Sequence, residues 1–275
     1  MLELRPISET VTQVLMSIRR RFLLIALGII LIPVIYLGAR TGYRFYRWAN
    51  FARQPVAEAL PALESSDLVS VEDDRWVVFT PANSTPRTGL IFYPGARIDP
   101  RAYAPLAQDI AEQGYLVVLL PVRFALANWQ PNAAEPVIAA FPNIETWAVG
   151  GHSLGGVVAA EFTNTHIQDV DGLVLWAAYP AEDQNLSSQS IDVISIHASQ
   201  DGLVTVQEVA DNKYLLPAST EYVLIEGGNH AQYAWYGNQR NDFTPTIDAD
   251  SQQAAIVEAT LSFLQELEAG TAASE

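Results

Sequence analysis

A short glycine-rich stretch in the middle of the chain strongly limits what this protein can fold into. It reads Gly151-His152-Ser153-Leu154-Gly155, which fits the pattern G-x-S-x-G. A strand-like run precedes it at 144–149, and small residues follow it at 156–160, as expected where a strand turns sharply into a helix. Glycine on both sides of the serine leaves room where larger side chains would collide. The pattern predicts that Ser153 is a nucleophile exposed at the N-terminus of a helix.

A serine hydroxyl is a weak nucleophile, so this hypothesis requires a base and an acid that orients the base. His230 suits the base because it lies in a glycine-rich loop directly after the strand-like run 221–225. Asp201 suits the acid because it follows the strand-like run 191–196 and lies between the serine and the histidine in sequence. That chain order is the one expected for a serine on this kind of turn.

These partners also have simpler interpretations. His230 could be a surface histidine, and Asp201 could be an ordinary turn residue, since Asp-Gly is a common turn pair. Glu182 and Asp183, which follow the strand-like run 172–177, are the second choice for the acid. The histidine next to the nucleophile, His152, is expected to point elsewhere on the turn.

Two backbone N–H groups are expected to stabilise negative charge opposite Ser153. One belongs to Leu154, the residue after the nucleophile, and the other to Ala96, in the loop after an early strand. Gly95 lets this loop turn back toward the serine. Arg97 could meet a charged substrate group, although an exposed loop arginine is more often solvated.

Strand-like and helical runs alternate from residue 71 to residue 268, which predicts an α/β domain with a mostly parallel sheet covered by helices on both faces. Within it, residues 76–267 resemble the α/β-hydrolase superfamily, in particular small single-domain members near the dienelactone-hydrolase and esterase branch. The matching pieces are the elbow Gly151-His152-Ser153-Leu154-Gly155-Gly156, the strand and loop Leu90-Ile91-Phe92-Tyr93-Pro94-Gly95-Ala96, and the loops Asp201-Gly202 and Gly227-Gly228-Asn229-His230. Many relatives carry His-Gly where this chain has Pro94-Gly95, and dienelactone hydrolases use cysteine where this chain has serine.

The expected activity is carboxylic ester hydrolysis in two steps of acyl transfer, without a metal or organic cofactor. His230 takes the proton of Ser153 as it attacks the ester carbonyl, Asp201 orients the imidazole, and water then hydrolyses the acyl-enzyme. Two alternatives share the fold: a non-catalytic binding protein, and a perhydrolase that uses peroxide with the same residues.

Charge is distributed unevenly along the chain. Residues 1–53 hold eight of the 15 basic residues and two of the 31 acidic ones, so the remainder, with seven basic and 29 acidic residues, has a net charge of −22. A domain this acidic repels phosphate backbones, so nucleic acid is not expected as a partner. The absence of cysteine excludes disulfides, thiolate zinc sites and a cysteine nucleophile.

A basic segment at 1–21 precedes an uncharged apolar run at 22–39. As a helix this run spans about 27 Å, close to the roughly 30 Å thickness of the hydrocarbon core, so it predicts a single transmembrane helix. A cleaved signal peptide and a buried helix are the alternatives. The cluster Arg19-Arg20-Arg21 favours a cytoplasmic N-terminus, which would place the hydrolase domain on the extracytoplasmic side.

The remaining segments are expected to connect or to shape the site. Residues 40–70 suit a juxtamembrane segment and linker, and 269–275 a flexible tail. Only 178–190 separate two strand-like runs, which is too short for a helical lid. The site is therefore expected to be open, with walls from 123–129 and 231–247. Aromatic residues in the second wall could line an acyl pocket for lipid-like esters or simply pack the loop: Tyr233, Trp235, Tyr236 and Phe243.

Overall fold

The computed structural model describes residues 7–49 and 51–274. The chain divides into two compact units, a short one that ends at Asn50 and a larger one that begins at Phe51. The larger unit therefore begins well before residue 71, where the sequence placed the start of the domain.

The first unit contains one helix, α1 (Ile7–Ala49), which is 43 residues long. It takes in most of the basic segment, the apolar run 22–39 and the first part of the expected juxtamembrane segment, while residues 1–6 lie outside the described part. Large apolar side chains such as Leu23 and Ile29 are exposed along it. Across the described residues, no helix combines the length and the apolar character needed to cross a membrane. The structure therefore lends the predicted membrane anchor no support.

The larger unit is built on one eight-stranded sheet with the spatial order β1-β2-β4-β3-β5-β6-β7-β8. The pairs β1·β2 and β2·β4 are antiparallel, and all other neighbours are parallel. The strands are β1 (Val69–Asp73), β2 (Val77–Pro81), β3 (Thr88–Tyr93), β4 (Leu116–Leu119), β5 (Thr146–His152), β6 (Gly172–Trp176), β7 (Asp192–Ala198) and β8 (Glu221–Ile225). The mostly parallel sheet confirms the predicted fold class.

Helices connect the parallel strands and cover the sheet. The α-helices of this unit are α2 (Ala104–Glu112), α3 (Glu135–Ala140), α4 (Leu154–Thr165), α5 (Val206–Asp211) and α6 (Ala249–Ser274). Short 3-10 helices lie at Ala57–Leu63, Pro100–Tyr103, Arg123–Ala125, Ala127–Trp129, Lys213–Leu215 and Ala231–Tyr233.

Two apolar cores lie on the two faces of the sheet. Side chains alternate across it, so Leu90 and Phe92 of β3 enter one core, while Ile91 and Tyr93 enter the other. The first core packs with α2 and α6, and the second with α3 and α4. Because both faces of the sheet are buried, the strand ends form a rigid support for the loops that follow them.

Three details differ from the sequence-based expectations. The expected linker 40–70 contains the end of α1, the 3-10 helix Ala57–Leu63 and the start of β1. The turn residues at 81–86 predict a hairpin between β2 and β3, but β2 pairs with β4 instead. Helix α6 runs on to Ser274, so the structure gives a helix through most of the expected tail 269–275, and Glu275 lies outside the described residues.

Candidate active site

The predicted elbow lies between β5 and α4. Ser153 has φ 53° and ψ −124°, a positive-φ conformation that costs energy for a residue with a side chain. A Cβ on Gly151 would overlap the carbonyl group of Gly155, and a Cβ on Gly155 would overlap the carbonyl oxygen of Tyr93. The turn therefore depends on both glycines. It leaves Ser153 half-buried at the start of α4.

The expected acid and base lie in direct contact. His230 Nδ1 is 2.8 Å from Asp201 Oδ2, and each residue is only 2% exposed. The other carboxylate oxygen of Asp201 accepts the N–H groups of Leu203 at 2.8 Å and Val204 at 2.7 Å. Because Nδ1 is taken by the carboxylate, Nε2 is the ring nitrogen left for proton transfer.

The three predicted residues lie just after strands that end at the same edge of the sheet. Ser153 follows β5, Asp201 follows β7 and His230 follows β8, and the carboxyl ends of parallel strands lie together. The Ser153 hydroxyl does not cap α4, and among the described residues no hydrogen bond joins it to His230. Such bonds are often long before substrate binds. The alternative acids Glu182 and Asp183 are both exposed to solvent, while His230 is paired with Asp201.

Asp242, which the sequence did not single out, joins the acid loop to the base loop. Its Oδ1 accepts the N–H groups of Gly202 at 3.0 Å and His230 at 3.3 Å, and its Oδ2 accepts that of Ala231 at 2.8 Å. One carboxylate therefore fixes the backbone on both sides of the Asp201–His230 pair. No local pattern marks this aspartate among the many acidic residues of the chain.

The loop after β3 lies against the elbow, because Gly155 packs on the main chain of Tyr93 and Pro94. The N–H groups of Ala96 and Leu154, the two expected oxyanion donors, have no backbone acceptor in the described part of the chain. Free N–H groups beside a nucleophile can donate to a developing oxyanion.

Strained backbone is concentrated in the loops around Ser153. Arg97, Phe124, Ala125 and Ala177 also have positive φ, and they follow β3, β4 and β6. The Arg97 N–H donates to the Ala125 carbonyl at 2.7 Å, and its guanidinium donates to the Phe124 carbonyl at 2.9 Å. Arg97 therefore holds the segment 123–129 in place through two hydrogen bonds, whereas the sequence favours a solvated side chain at this position. Strain of this kind clusters at functional sites.

The sequence predicts that the His152 side chain points elsewhere on the turn, but its ring lies against that of the expected base, His230. The centroids of the His152 and His230 rings are 4.5 Å apart, and Tyr233 stacks on His152 at 5.2 Å. Burial, and secondly the charge of His230, lower the pKa of His152 well below its usual value, so this ring stays neutral.

The aromatic residues of the second wall divide into two groups. Tyr233 and Tyr236 are buried, and their hydroxyls donate to the carbonyls of Ile196 and His230. They pack beneath the base and do not form the surface of an acyl pocket. Trp235 is half-buried and Phe243 is exposed.

Comparisons with known proteins agree with this fold. Solved structures with a similar fold include a predicted CIB-like hydrolase from Thermoplasma acidophilum, at 13% identity and a TM-score of 0.54, covering 72% of this chain and 99% of that one. Est1E from Butyrivibrio proteoclasticus is similar at 11% identity and a TM-score of 0.51, covering 72% and 99%. The esterase domain of a Rhodothermus marinus protein is similar at 13% identity and a TM-score of 0.54, covering 71% and 96%.

At such identities the likeness establishes the fold alone. Curated protein sequences give no significant match. The family comparison matches residues 89–254, more than half of the chain and all of the segment that carries the elbow, the acid and the base. The protein therefore belongs to the alpha/beta hydrolase family.

Proposed function

We propose that this protein is a serine hydrolase that cleaves carboxylic esters, with Ser153 as nucleophile, His230 as base and Asp201 as the acid that orients the base. The observation that carries the proposal is the buried 2.8 Å hydrogen bond between His230 Nδ1 and Asp201 Oδ2. A buried carboxylate on one ring nitrogen directs the other toward proton transfer and stabilises the imidazolium that forms. The esterase domain among the similar folds supports the choice of esters.

In the proposed reaction, His230 Nε2 takes the proton of Ser153 Oγ as this oxygen attacks the ester carbonyl carbon. The N–H groups of Ala96 and Leu154 donate to the resulting oxyanion. The tetrahedral intermediate then collapses, and the alcohol leaves with the proton from His230. Water attacks the acyl-enzyme by the same route, which releases the carboxylic acid and restores the serine.

Labelling with a fluorophosphonate probe tests this proposal, because the probe reacts with activated serines. We expect labelling of the wild type and none of Ser153→Ala or His230→Ala. Ser188→Ala removes an exposed loop serine and should label like the wild type. A folded wild type that is not labelled would contradict the proposal and favour a binding protein. Peracid formation from an acid and hydrogen peroxide, faster than ester hydrolysis, would favour a perhydrolase.

We also propose, from the sequence, that residues 22–39 anchor the protein in a membrane, that the larger unit lies on the extracytoplasmic side, and that the substrates are lipid-like esters. The support is the uncharged apolar run and the basic cluster that precedes it. Release of the protein by alkaline carbonate would contradict the anchor. Protection from protease in intact spheroplasts would contradict the orientation. Much faster turnover of soluble short-chain esters than of membrane-borne esters would contradict the substrate class.

A further inference from the structure

His152 occupies a position that the reaction scheme does not use. Its side chain is fully buried, it lies against the base His230, and it immediately precedes Ser153 at the end of β5. Its Nε2 has no hydrogen-bond partner in the described part of the chain, so its only polar contact is through Nδ1. A buried imidazole with one defined polar contact is suited to fixing geometry.

A chain of buried hydrogen bonds runs from this ring to the loop after β3. The Tyr103 hydroxyl lies 2.8 Å from His152 Nδ1, and it accepts the Gly95 N–H at 3.0 Å. Since the hydroxyl oxygen accepts from Gly95, its own proton can be donated to His152 Nδ1. That direction requires an unprotonated Nδ1, which agrees with the neutral ring described above.

The next peptide group, between Gly95 and Ala96, is held by a hydrogen bond of its own. The Ile98 N–H donates to the Gly95 carbonyl at 3.2 Å, and this carbonyl shares a rigid plane with the Ala96 N–H. A Cβ on Gly95 would lie 2.9 Å from His152 Nδ1, so the loop and the ring are in direct contact. The Tyr103 bond fixes the peptide plane before Gly95 and the Ile98 bond fixes the plane after it, so together they set the direction of the Ala96 N–H.

We infer that His152 and Tyr103 are positioning residues that hold the Ala96 N–H, through Gly95, at a fixed distance from Ser153. The pair bridges the two halves of the site, the nucleophile and the oxyanion loop. The catalytic consequence rests on the proposed function, because it makes oxyanion stabilisation depend on the bridge. A displaced donor weakens binding of the transition state and leaves binding of the substrate nearly unchanged.

Steady-state kinetics with an ester distinguish positioning from general damage. Tyr103→Phe removes only the bridging hydroxyl, and we expect kcat to fall about 10- to 100-fold while KM stays within about twofold. This loss of kcat is smaller than the roughly 100- to 1,000-fold loss caused by removal of a whole oxyanion donor. His152→Leu removes the acceptor of the Tyr103 hydroxyl and should lower kcat to the same extent as Tyr103→Phe. His152→Asn keeps an acceptor for the Tyr103 hydroxyl and should recover most of the activity.

Tyr93→Phe is the matched control for these variants. It removes another buried tyrosine hydroxyl, one that accepts the Ala134 N–H at 3.0 Å and lies outside the bridge. We expect it to keep kcat within about threefold of the wild type. Equal losses in Tyr93→Phe and Tyr103→Phe would overturn the inference, and so would a raised KM with unchanged kcat in Tyr103→Phe.

Hydrogen exchange tests the bridge independently of activity. Loss of the Tyr103 hydroxyl frees the Gly95 amide, so Tyr103→Phe should raise its exchange rate about tenfold or more in the folded protein, while Tyr93→Phe should not. Unchanged exchange of Gly95 in Tyr103→Phe overturns the inference. If exchange rises as expected but the wild type neither cleaves esters nor reacts with fluorophosphonate, the bridge stands and the proposed function fails.

Discussion

Asp201 has two separate tasks in the site. One carboxylate oxygen bonds His230 Nδ1, while the other accepts the N–H groups of Leu203 and Val204 and shapes the loop after β7. An asparagine has nearly the same size, but it can accept with only one end of its side chain. The orientation of the imidazole therefore depends on the charge of this residue as well as on its shape.

Asp201→Asn should lower kcat for an ester about 1,000- to 10,000-fold, because His230 would be held in the wrong tautomer. Circular dichroism should show a folded variant. Asp183→Asn, which changes one of the alternative acids, should keep kcat within about twofold, since this carboxylate is exposed. A loss of less than about tenfold in Asp201→Asn would contradict the role given to this residue.

Gly155→Ala should lower the free energy of unfolding by about 3 kcal/mol, because the new methyl group would overlap the main chain of Tyr93 and Pro94. Gly270→Ala is the matched control, since nothing lies within 4 Å of its missing Cβ in α6. That change should raise stability by about 0.5–1 kcal/mol. Urea denaturation measures both, and equal effects would show that the elbow is less tightly packed than described.

The residues that the sequence identified are those attached to a local pattern. Ser153 is marked by flanking glycines, and Asp201 and His230 each lie in a loop after a strand-like run. Asp242 and Tyr103 carry no such mark, because their contacts at the site join groups 40 and 49 residues apart. Only the folded chain brings such groups together.

At the scale of elements, α5 shows how local structure supports the acid loop. Its N-cap Thr205 accepts the Glu208 N–H at 3.2 Å, and the Glu208 carboxylate accepts the Thr205 N–H at 2.8 Å. This reciprocal cap satisfies two N–H groups at the start of the helix. It fixes the point at which the chain leaves the loop that carries Asp201.

Thr205→Ala should lower the free energy of unfolding by about 1 kcal/mol through loss of the cap. Gln207→Ala, on the exposed surface of the same helix, removes only a side-chain contact to Asp211 and should cost about 0.3 kcal/mol. Thermal unfolding monitored by circular dichroism compares the two. A Thr205→Ala variant as stable as Gln207→Ala would show that the cap contributes nothing.

The bounds of the strands were easier to predict than the pairing between strands. The bounds of β8 agree with the strand-like run 221–225, because this run has turn residues on both sides. The pairing of β2 with β4 was missed, since turn residues mark where a chain reverses and not which strand it meets. The strand β1 was missed because its sequence, Val-Ser-Val-Glu-Asp, is short and polar.

At the scale of the whole molecule, buried titratable groups link stability to pH. Burial lowers the pKa of both His152 and His197. Below the unfolded-state value of about 6.5 the unfolded chain binds protons that the folded chain does not. The free energy of unfolding should therefore fall as the pH falls from about 6.5, by up to about 1.4 kcal/mol per pH unit for each fully shifted histidine.

Urea denaturation at several pH values between 8 and 5 measures this slope. His197→Gln should reduce it by removing one of the two groups. Thr260→Val, which breaks a buried hydrogen bond to Trp176, should lower the whole curve without changing its slope. A free energy of unfolding that stays constant from pH 7 to pH 5 would contradict the linkage.

The connection between β6 and β7 contains no helix, and this affects how the proposed hydrolase would respond to a substrate that forms micelles. Residues 177–191 are all described and contain no helix. Because this segment offers no helix that could cover the site, we do not expect the proposed enzyme to have a closed state that a lipid–water interface would open. The rate of ester hydrolysis should follow one saturation curve through the critical micelle concentration of the ester, without interfacial activation. A sharp rise in rate at that concentration would show that another part of the chain covers the site.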